Sequence, residues 1–374
     1  MNVLKKSFIS LFTFSLLFFI FIFCLSFNSS SAEGLTNKNL TAVQTQTYKI
    51  TYVLNGGKNN INNPTSYKTN KSIVLKNPTK NGYTFQGWYS DSKFKNKVIS
   101  IPKNSKGNKT FYAKWIINPV LTGLSGRTNI DKHIQTFKTR YKNSLKGGIA
   151  LVGSSSFARW NCGNEFKKLG WNLQKLYNCS ISGVRISDLA NNDKYIQLIS
   201  SFQPSVILIY GSNDLGLYSN NSNKNITLAN KLIKDVNNLI TKISAKCKKK
   251  PIFIVIGSTK TPKDYINANK NKFSKSCTAW DRIDIYNNKL KQYAKTKTNV
   301  IYYDVAKNFE YKNNNGQMIF YLDQNKKQTT TIKQIINKTK TIKLFESDLA
   351  HPSKLAYEKI WVKVANFAIL NSKK

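Results

Sequence analysis

The residues with types suited to chemistry in this chain are Ser155, Gly183, Asn213, Asp348 and His351. Acyl transfer needs a nucleophile, a base to take its proton, a group to orient the base, and donors for the oxyanion. Ser155 can attack, His351 can take the proton, and Asp348 can hold the imidazole. The backbone N–H groups of Ser155 and Gly183 and the Asn213 amide can point at the developing negative oxygen. Each lies in a short polar stretch. These are Gly153-Ser154-Ser155-Ser156, Asn178-Cys179-Ser180-Ile181-Ser182-Gly183, Gly211-Ser212-Asn213-Asp214 and Asp348-Leu349-Ala350-His351-Pro352. The chain has only 2 His; the other, His133 beside Lys132, is given no role. No CxxC pair and no Gly-rich phosphate loop occurs, so neither metal nor cofactor is expected.

Such residues act together only if the fold brings them together. Ile149–Val152 is a continuous apolar run, the pattern of a strand buried on both faces. Further strands are suggested at Leu173–Cys179, Ser205–Tyr210, Ile252–Ile256 and Val300–Tyr303. Helical spacing of apolar residues marks Asp188–Phe202, Thr227–Ala245 and Trp280–Ala294 between them, and a long helical stretch follows Pro352. This alternation predicts an α/β fold, a flavodoxin-like three-layer α/β/α domain around a parallel sheet. The first three strands each end in one of the polar turns, and parallel topology puts those turns on one edge.

From Gly148 to about Leu370 the chain resembles the SGNH (GDSL-type) serine esterases and lipases. GSSSFARW stands in the first block, with Ser155 at the nucleophile and Ser154 in place of the usual Asp. NCSISG matches the second block, YGSNDL the third and DLAHPSKLAYEKIW the last, although the Gly common after this Asp is Leu349 here. The register leaves Ser156 as the alternative nucleophile to Ser155. The resemblance implies an SGNH hydrolase with catalytic Ser155, Asp348 and His351, an oxyanion hole of Ser155, Gly183 and Asn213, and no cofactor. The expected substrate is a carboxylic ester, an O-acetyl or short acyl group on an extracellular glycan or lipid. The alternatives are a surface acyltransferase and a non-catalytic, glycan-binding adhesion protein with a degenerate hydrolase domain.

The N-terminal part differs in texture. Lys5 and Lys6, the apolar run Phe8–Phe27 and the small residues Ser30, Ser31 and Ala32 make residues 1–32 a secretory signal peptide. The length of the run leaves an uncleaved membrane anchor open. A polar linker, 33–47, follows. Alternating Tyr48, Ile50, Tyr52 and Leu54, the turn Asn55-Gly56-Gly57, a strand Ser72–Leu75 and the aromatics Tyr83, Phe85, Trp88 and Trp115 suggest a small β module over 48–115, with the aromatics as its core. These residues resemble the Listeria–Bacteroides (internalin-type B) repeat, which implies a β-grasp-like surface module without catalytic residues. Residues 116–146 are expected to be a basic connector, with a helix over Thr128–Ser144, and 147–374 to be the hydrolase domain.

Lys and Arg outnumber Asp and Glu by 59 to 17, for a net charge of +42. That field favours anionic polymers, and export makes a cell-wall or surface polymer the expected partner rather than nucleic acid. Secretion or the cell surface is the expected location. Outside the apolar run, which holds Cys24, four cysteines remain, Cys162, Cys179, Cys247 and Cys277. Two disulfides and four free thiols are equally consistent with this set. Arg185 is expected at the surface, Trp160 in packing, and Trp280 and Tyr286 either in the core or along the cleft. The stretches Lys260–Ala279 and Asn308–Lys340 carry no readable pattern.

Overall fold

The structure, a computed structural model, describes residues 45–118, 120–211, 222–263, 279–315 and 317–373. The period-2 run around Ile50 forms β1 (Thr47–Val53). It is followed by β2 (Ser66–Lys68), β3 (Ile73–Val74), β4 (Tyr83–Tyr89), β5 (Lys97–Val98), β6 (Ser100–Ile101) and β7 (Lys109–Ile117). The sheet order β2-β1-β7-β4-β5 pairs β1 with β7 in parallel and β4 with β7 antiparallel, a β-grasp-like arrangement. Trp88 is buried with Ile50, Tyr67, Phe111 and Ala113, and its indole N–H is satisfied by the Lys76 carbonyl at 3.0 Å. Tyr83, Phe85 and Trp115 are only half-buried.

The stretch 116–146 is packed into the domain that follows it. It contains β8 (Leu124–Ser125) and the helix Ile130–Arg140, capped by the Asn129 side chain. Ile134, Phe137 and Tyr141 share one helical face and lie in the main core. That core surrounds β9 (Ile149–Gly153), β10 (Leu176–Asn178), β12 (Val206–Tyr210), β13 (Ile252–Ile256) and β14 (Val300–Tyr303), while the short β11 (Ile181–Ser182) pairs separately with β8. The sheet order is β10-β9-β12-β13-β14, and every pairing is parallel. Counted along the chain this is 2-1-3-4-5, the flavodoxin-like order, whose direction of winding reverses between β9 and β12. The reversal of winding therefore opens a crevice at the C-terminal ends of those two strands.

Two elements differ from the sequence pattern for local reasons. Leu173–Lys175 is a 3₁₀ turn ahead of β10, because the Asn172 side chain takes the Gln174 N–H. The helical stretch 188–202 is split into Ile186–Ala190 and Asp193–Ser201, the second begun by Asn192, which accepts from Tyr195 N–H at 2.9 Å. Helices Ser222–Lys246 and Ala279–Lys295 cover one face of the sheet. The C-terminal helix Val362–Ser372 packs against β9, β12 and β13 on the other. Part of 308–340 forms an antiparallel sheet of β15 (Glu310–Lys312), β16 (Met318–Tyr321) and β17 (Thr329–Thr331). Cys162, Cys179 and Cys247 are free thiols, the first two buried, and Cys277 lies outside the described residues. Among the described residues no helix is long and apolar enough to cross a membrane; the signal segment and Cys24 lie outside them.

Candidate active site

β9 ends where β12 comes closest. Tyr210 is the register partner of Gly153, and a Cβ built on Gly153 would lie 1.9 Å from the Tyr210 carbonyl oxygen. Only glycine fits there, and the next residue donates its N–H to the same oxygen at 3.2 Å. The chain then turns into the short helix Ser155–Arg159. Ser154 and Ser156 are buried, at 3% and 8% exposure, whereas Ser155 is half-buried. Of the three adjacent serines, Ser155 is thus the most open to solvent.

Gly183 follows β11 and is exposed, with φ +87°. A Cβ there would meet nothing nearer than 3.9 Å, so the backbone angle rather than space requires glycine. Its turn is pinned by Asn178, a residue without an assigned role in the sequence reading. The fully buried Asn178 amide donates to the carbonyls of Leu121 (3.0 Å), Phe157 (2.8 Å) and Trp160 (3.3 Å), and its oxygen accepts from Ser180 N–H. One side chain therefore ties the Gly183 turn to the helix that starts at Ser155. Beside it, Arg127 forks onto Asp188 at 2.7 and 2.9 Å. Burial works against the Asp188 carboxylate, but Arg127 and the Arg185 N–H outweigh it and hold its pKa below the usual range. The Arg185 side chain is exposed. Asn213 lies outside the described residues.

The loop before the last helix brings Asp348 and His351 together. His351 Nδ1 lies 2.5 Å from Asp348 Oδ2, while Oδ1 accepts the N–H groups of Ala350 (2.9 Å) and His351 (3.0 Å). With Nδ1 donating to the carboxylate, Nε2 is the ring nitrogen left to accept a proton. Partial burial opposes the charge on Asp348, yet these N–H groups and the imidazole hold its carboxyl well below the usual carboxylate range. The loop is closed by a bridge between Phe345 and Pro352 and by Glu346 N–H on the His351 carbonyl. Leu349, where the block pattern has Gly, sits at φ +56°, a left-handed angle that explains the usual glycine.

Two contacts join this loop to the helix that starts at Ser155. Arg159 binds Glu346 at 2.6 Å and approaches Asp348 at 3.6 Å. The Tyr357 hydroxyl donates to the Ser156 carbonyl at 2.8 Å, and its ring lies parallel to that of Trp160, 6.0 Å away. Trp361 packs against Phe157 and Tyr210, at 5.6 and 5.3 Å. Trp160 is buried as expected and donates to Glu165 at 3.0 Å. Tyr286 is a core residue at 2% exposure, and the Trp280 side chain lies outside the described set. Glu346 places a third ligand-type oxygen within 4.8 Å of Asp348 and His351, but it is already spanned by Arg159. Among the described residues no hydrogen bond joins Ser155 to His351.

At the neighbouring end of β13, Lys260 is buried and bridges to Asp284 at 2.5 Å. Its backbone N–H lies 3.5 Å from Glu310, whose carboxyl burial pushes up to about 8 against the pull of Lys260. Lys263, shortly after, donates its N–H to the Leu349 carbonyl at 3.1 Å, so this segment braces the histidine loop.

Residues 48–114 match the Listeria-Bacteroides repeat domain. No curated protein matches the chain. Among solved structures, the chain is similar to a lipopolysaccharide acetyltransferase periplasmic domain of Salmonella ser. Paratyphi A, with 14% identity and TM-score 0.40 over 65% of this chain and 98% of that one. An acetyl esterase mutant with acetate ion overlaps at 13% identity and TM-score 0.39, over 61% of this chain and 98% of its own. A family 3 carbohydrate esterase of Clostridium thermocellum gives 15% identity and TM-score 0.36, over 60% and 96%. Overlaps of that depth fix neither activity nor substrate.

Proposed function

We propose that the protein is an exported SGNH-type serine esterase that removes O-acyl groups, above all O-acetyl, from an extracellular glycan. The observation that carries this reading is the Asp348–His351 pair, hydrogen-bonded at 2.5 Å on a loop clamped by Arg159 and Tyr357 to the helix beginning at Ser155. Ser155 Oγ attacks the ester carbonyl while its proton passes to His351 Nε2. Asp348 keeps the ring oriented and stabilises the imidazolium. The N–H groups of Ser155 and Gly183, with the Asn213 amide, take the oxyanion; one such donor is worth about 2.7–4 kcal/mol of barrier. Collapse breaks the bond to the alcohol, which leaves with the proton from His351. Water, deprotonated by the same imidazole, then releases the acid and restores Ser155.

The glycan substrate is inferred from the signal segment, the repeat module and the cationic surface together. A fluorophosphonate probe tests the site without assuming a substrate. Mass spectrometry should find the adduct on Ser155, and His351→Ala should slow its formation by about 10³-fold or more. Labelling on Ser156, or none in the folded protein, overturns the assignment.

A further inference from the structure

A second groove lies at the junction of the two folded parts. Its walls are Tyr83, Phe85 and Trp115 from the β module and Trp171 and Lys167 from the α/β domain, with Lys80 at its edge, and its volume is 340 Å³. That is within the range of small-ligand sites, about 300–1,000 Å³. The rings are fixed in place. Trp115 Nε1 donates to the Leu54 carbonyl at 2.8 Å and Trp171 Nε1 to the Lys175 carbonyl at 3.1 Å. Phe85 packs edge-on to Trp115 at 5.3 Å. Both indole N–H groups are thus committed to the protein's own backbone, and the half-buried rings offer apolar surface to the groove. One hydrogen bond crosses the junction: Gln174, 2% exposed, donates to the carbonyl of Ile117, the last residue of β7, at 2.9 Å.

The chemistry of the walls narrows the ligand. Aromatic faces held in advance stack on the C–H faces of sugar rings with little ordering cost. Lys167 is exposed, and Lys80 sits 4.1 Å over the Tyr83 ring. Among the described residues no carboxylate lines the groove. An uncharged peptide or apolar chain would use the rings but not the cations; a sugar chain bearing carboxylates uses both, and its ring faces stack flat on the indoles. The place also matters. Leu173 and Trp171 precede β10, whereas Ser155 follows the far end of β9, its parallel neighbour, so the groove is at the opposite edge of the sheet from the ester site. Strand length puts the two on the order of 20 Å apart.

We propose that this groove binds a segment of an anionic, uronate-bearing polysaccharide and tethers the protein to it. The binding itself does not depend on the esterase reading. Hyaluronan hexasaccharide, which alternates glucuronate with N-acetylglucosamine, is the probe, and uncharged chitohexaose the comparison. Binding to the full chain is read by calorimetry and tryptophan fluorescence. Hyaluronan hexasaccharide should bind and change the fluorescence, with chitohexaose about ten-fold weaker. Lys167→Glu and Trp171→Ala should each weaken binding about ten-fold or more, with folding checked by thermal melting. Lys248→Glu, a charge change of the same size at another exposed site, should leave it unchanged. Equal weakening by Lys248→Glu would reduce the effect to general charge attraction and overturn the proposal, as would absence of binding. Turnover of p-nitrophenyl acetate is followed in parallel and should be the same in all three variants, so the two readings fail separately.

Discussion

At the residue scale, Leu349 is a small conflict between local rule and function. Its φ of +56° costs a non-glycine residue about 1–2 kcal/mol, and the loop holds it there with Asp348 and His351 on either side. Leu349 also packs against the core, so replacing it loses contacts whatever the new residue. The informative comparison is Leu349→Gly with Leu349→Ala. We expect Gly to be the more stable by about 1 kcal/mol, the reverse of the usual order, as read by denaturant melts. Equal stability would mean the strain is not there. Asn178 makes the opposite case, a residue whose local fit is complete. Asn178→Ala takes a donor from the carbonyls of Leu121, Phe157 and Trp160; Phe157 keeps the Trp160 N–H and Leu121 the Cys162 thiol, so the loss is about 1–3 kcal/mol in all, and it frees the helix that carries Ser155. Lost stability and lost turnover should appear together; a fully stable, fully active variant would contradict the positioning role. The proposed site residues stood out in the sequence because each sits in a short block with its own pattern. Asn178 lay inside one of those blocks, yet its partners are carbonyls from three other segments, and no local pattern announces such contacts.

At the element scale, the sheet was largely readable. β9, β12 and β13 are continuous apolar runs buried on both faces, and the edge strand β14 is an apolar run that is only partly buried. The alternation predicted a flavodoxin-like sheet, and the observed order 2-1-3-4-5 sets the C-terminal ends of β9 and β12 side by side at Gly153 and Tyr210. What escaped the sequence were the ties between elements far apart in the chain. Arg159 and Glu346 are nearly two hundred positions apart, 187, and neither stands out by type. Arg159 is substantially exposed, so its ion pairs contribute about 1 kcal/mol or less to stability. Their effect is on the histidine loop. Arg159→Met should leave the melting temperature almost unchanged and lower kcat about ten-fold, since a misplaced base costs more than a lost surface pair. An equal loss of stability and no change in kcat would reverse that assignment. Glu310 supplies a pH dependence at the same edge. Its folded pKa is raised to about 8 by burial, beside Lys260 and with Asp284 and Asp304 adding to the shift. Between the usual carboxylate range and pH 8 the unfolded chain has lost this proton and the folded chain keeps it. Stability is therefore fully present at the acid end and drains away as pH rises through about 8. Glu310→Gln should flatten that slope in melts between pH 5 and 9, a span set by about these two limits; an unaltered slope would assign it to other groups.

At the scale of the whole molecule, three features lie behind the proposed extracellular polymer substrate. The repeat domain occupies 48–114, the α/β domain follows with 116–146 packed into its core, and the net charge is +42. The repeat was legible from its turn and aromatic spacing, because a module this small has few ways to bury Trp88. The aromatic groove was not, since half of it belongs to each part. The charge gives a further expectation. Raising ionic strength from about 0.1 to 1 M shortens the screening length from about 10 to 3 Å. Retention on an anionic wall polymer should fall steeply over that range, while turnover of an uncharged ester should not. Retention indifferent to salt would remove the charge from the account. The central claim, acyl transfer through Ser155, is tested most directly by hydrolysis of p-nitrophenyl acetate, butyrate and octanoate beside a Ser155→Ala variant. The expected result is turnover by the native chain, fastest on acetate, and a fall of roughly 10³-fold or more in the variant. Equal rates for the two proteins, or inertness of both with every ester, would contradict it.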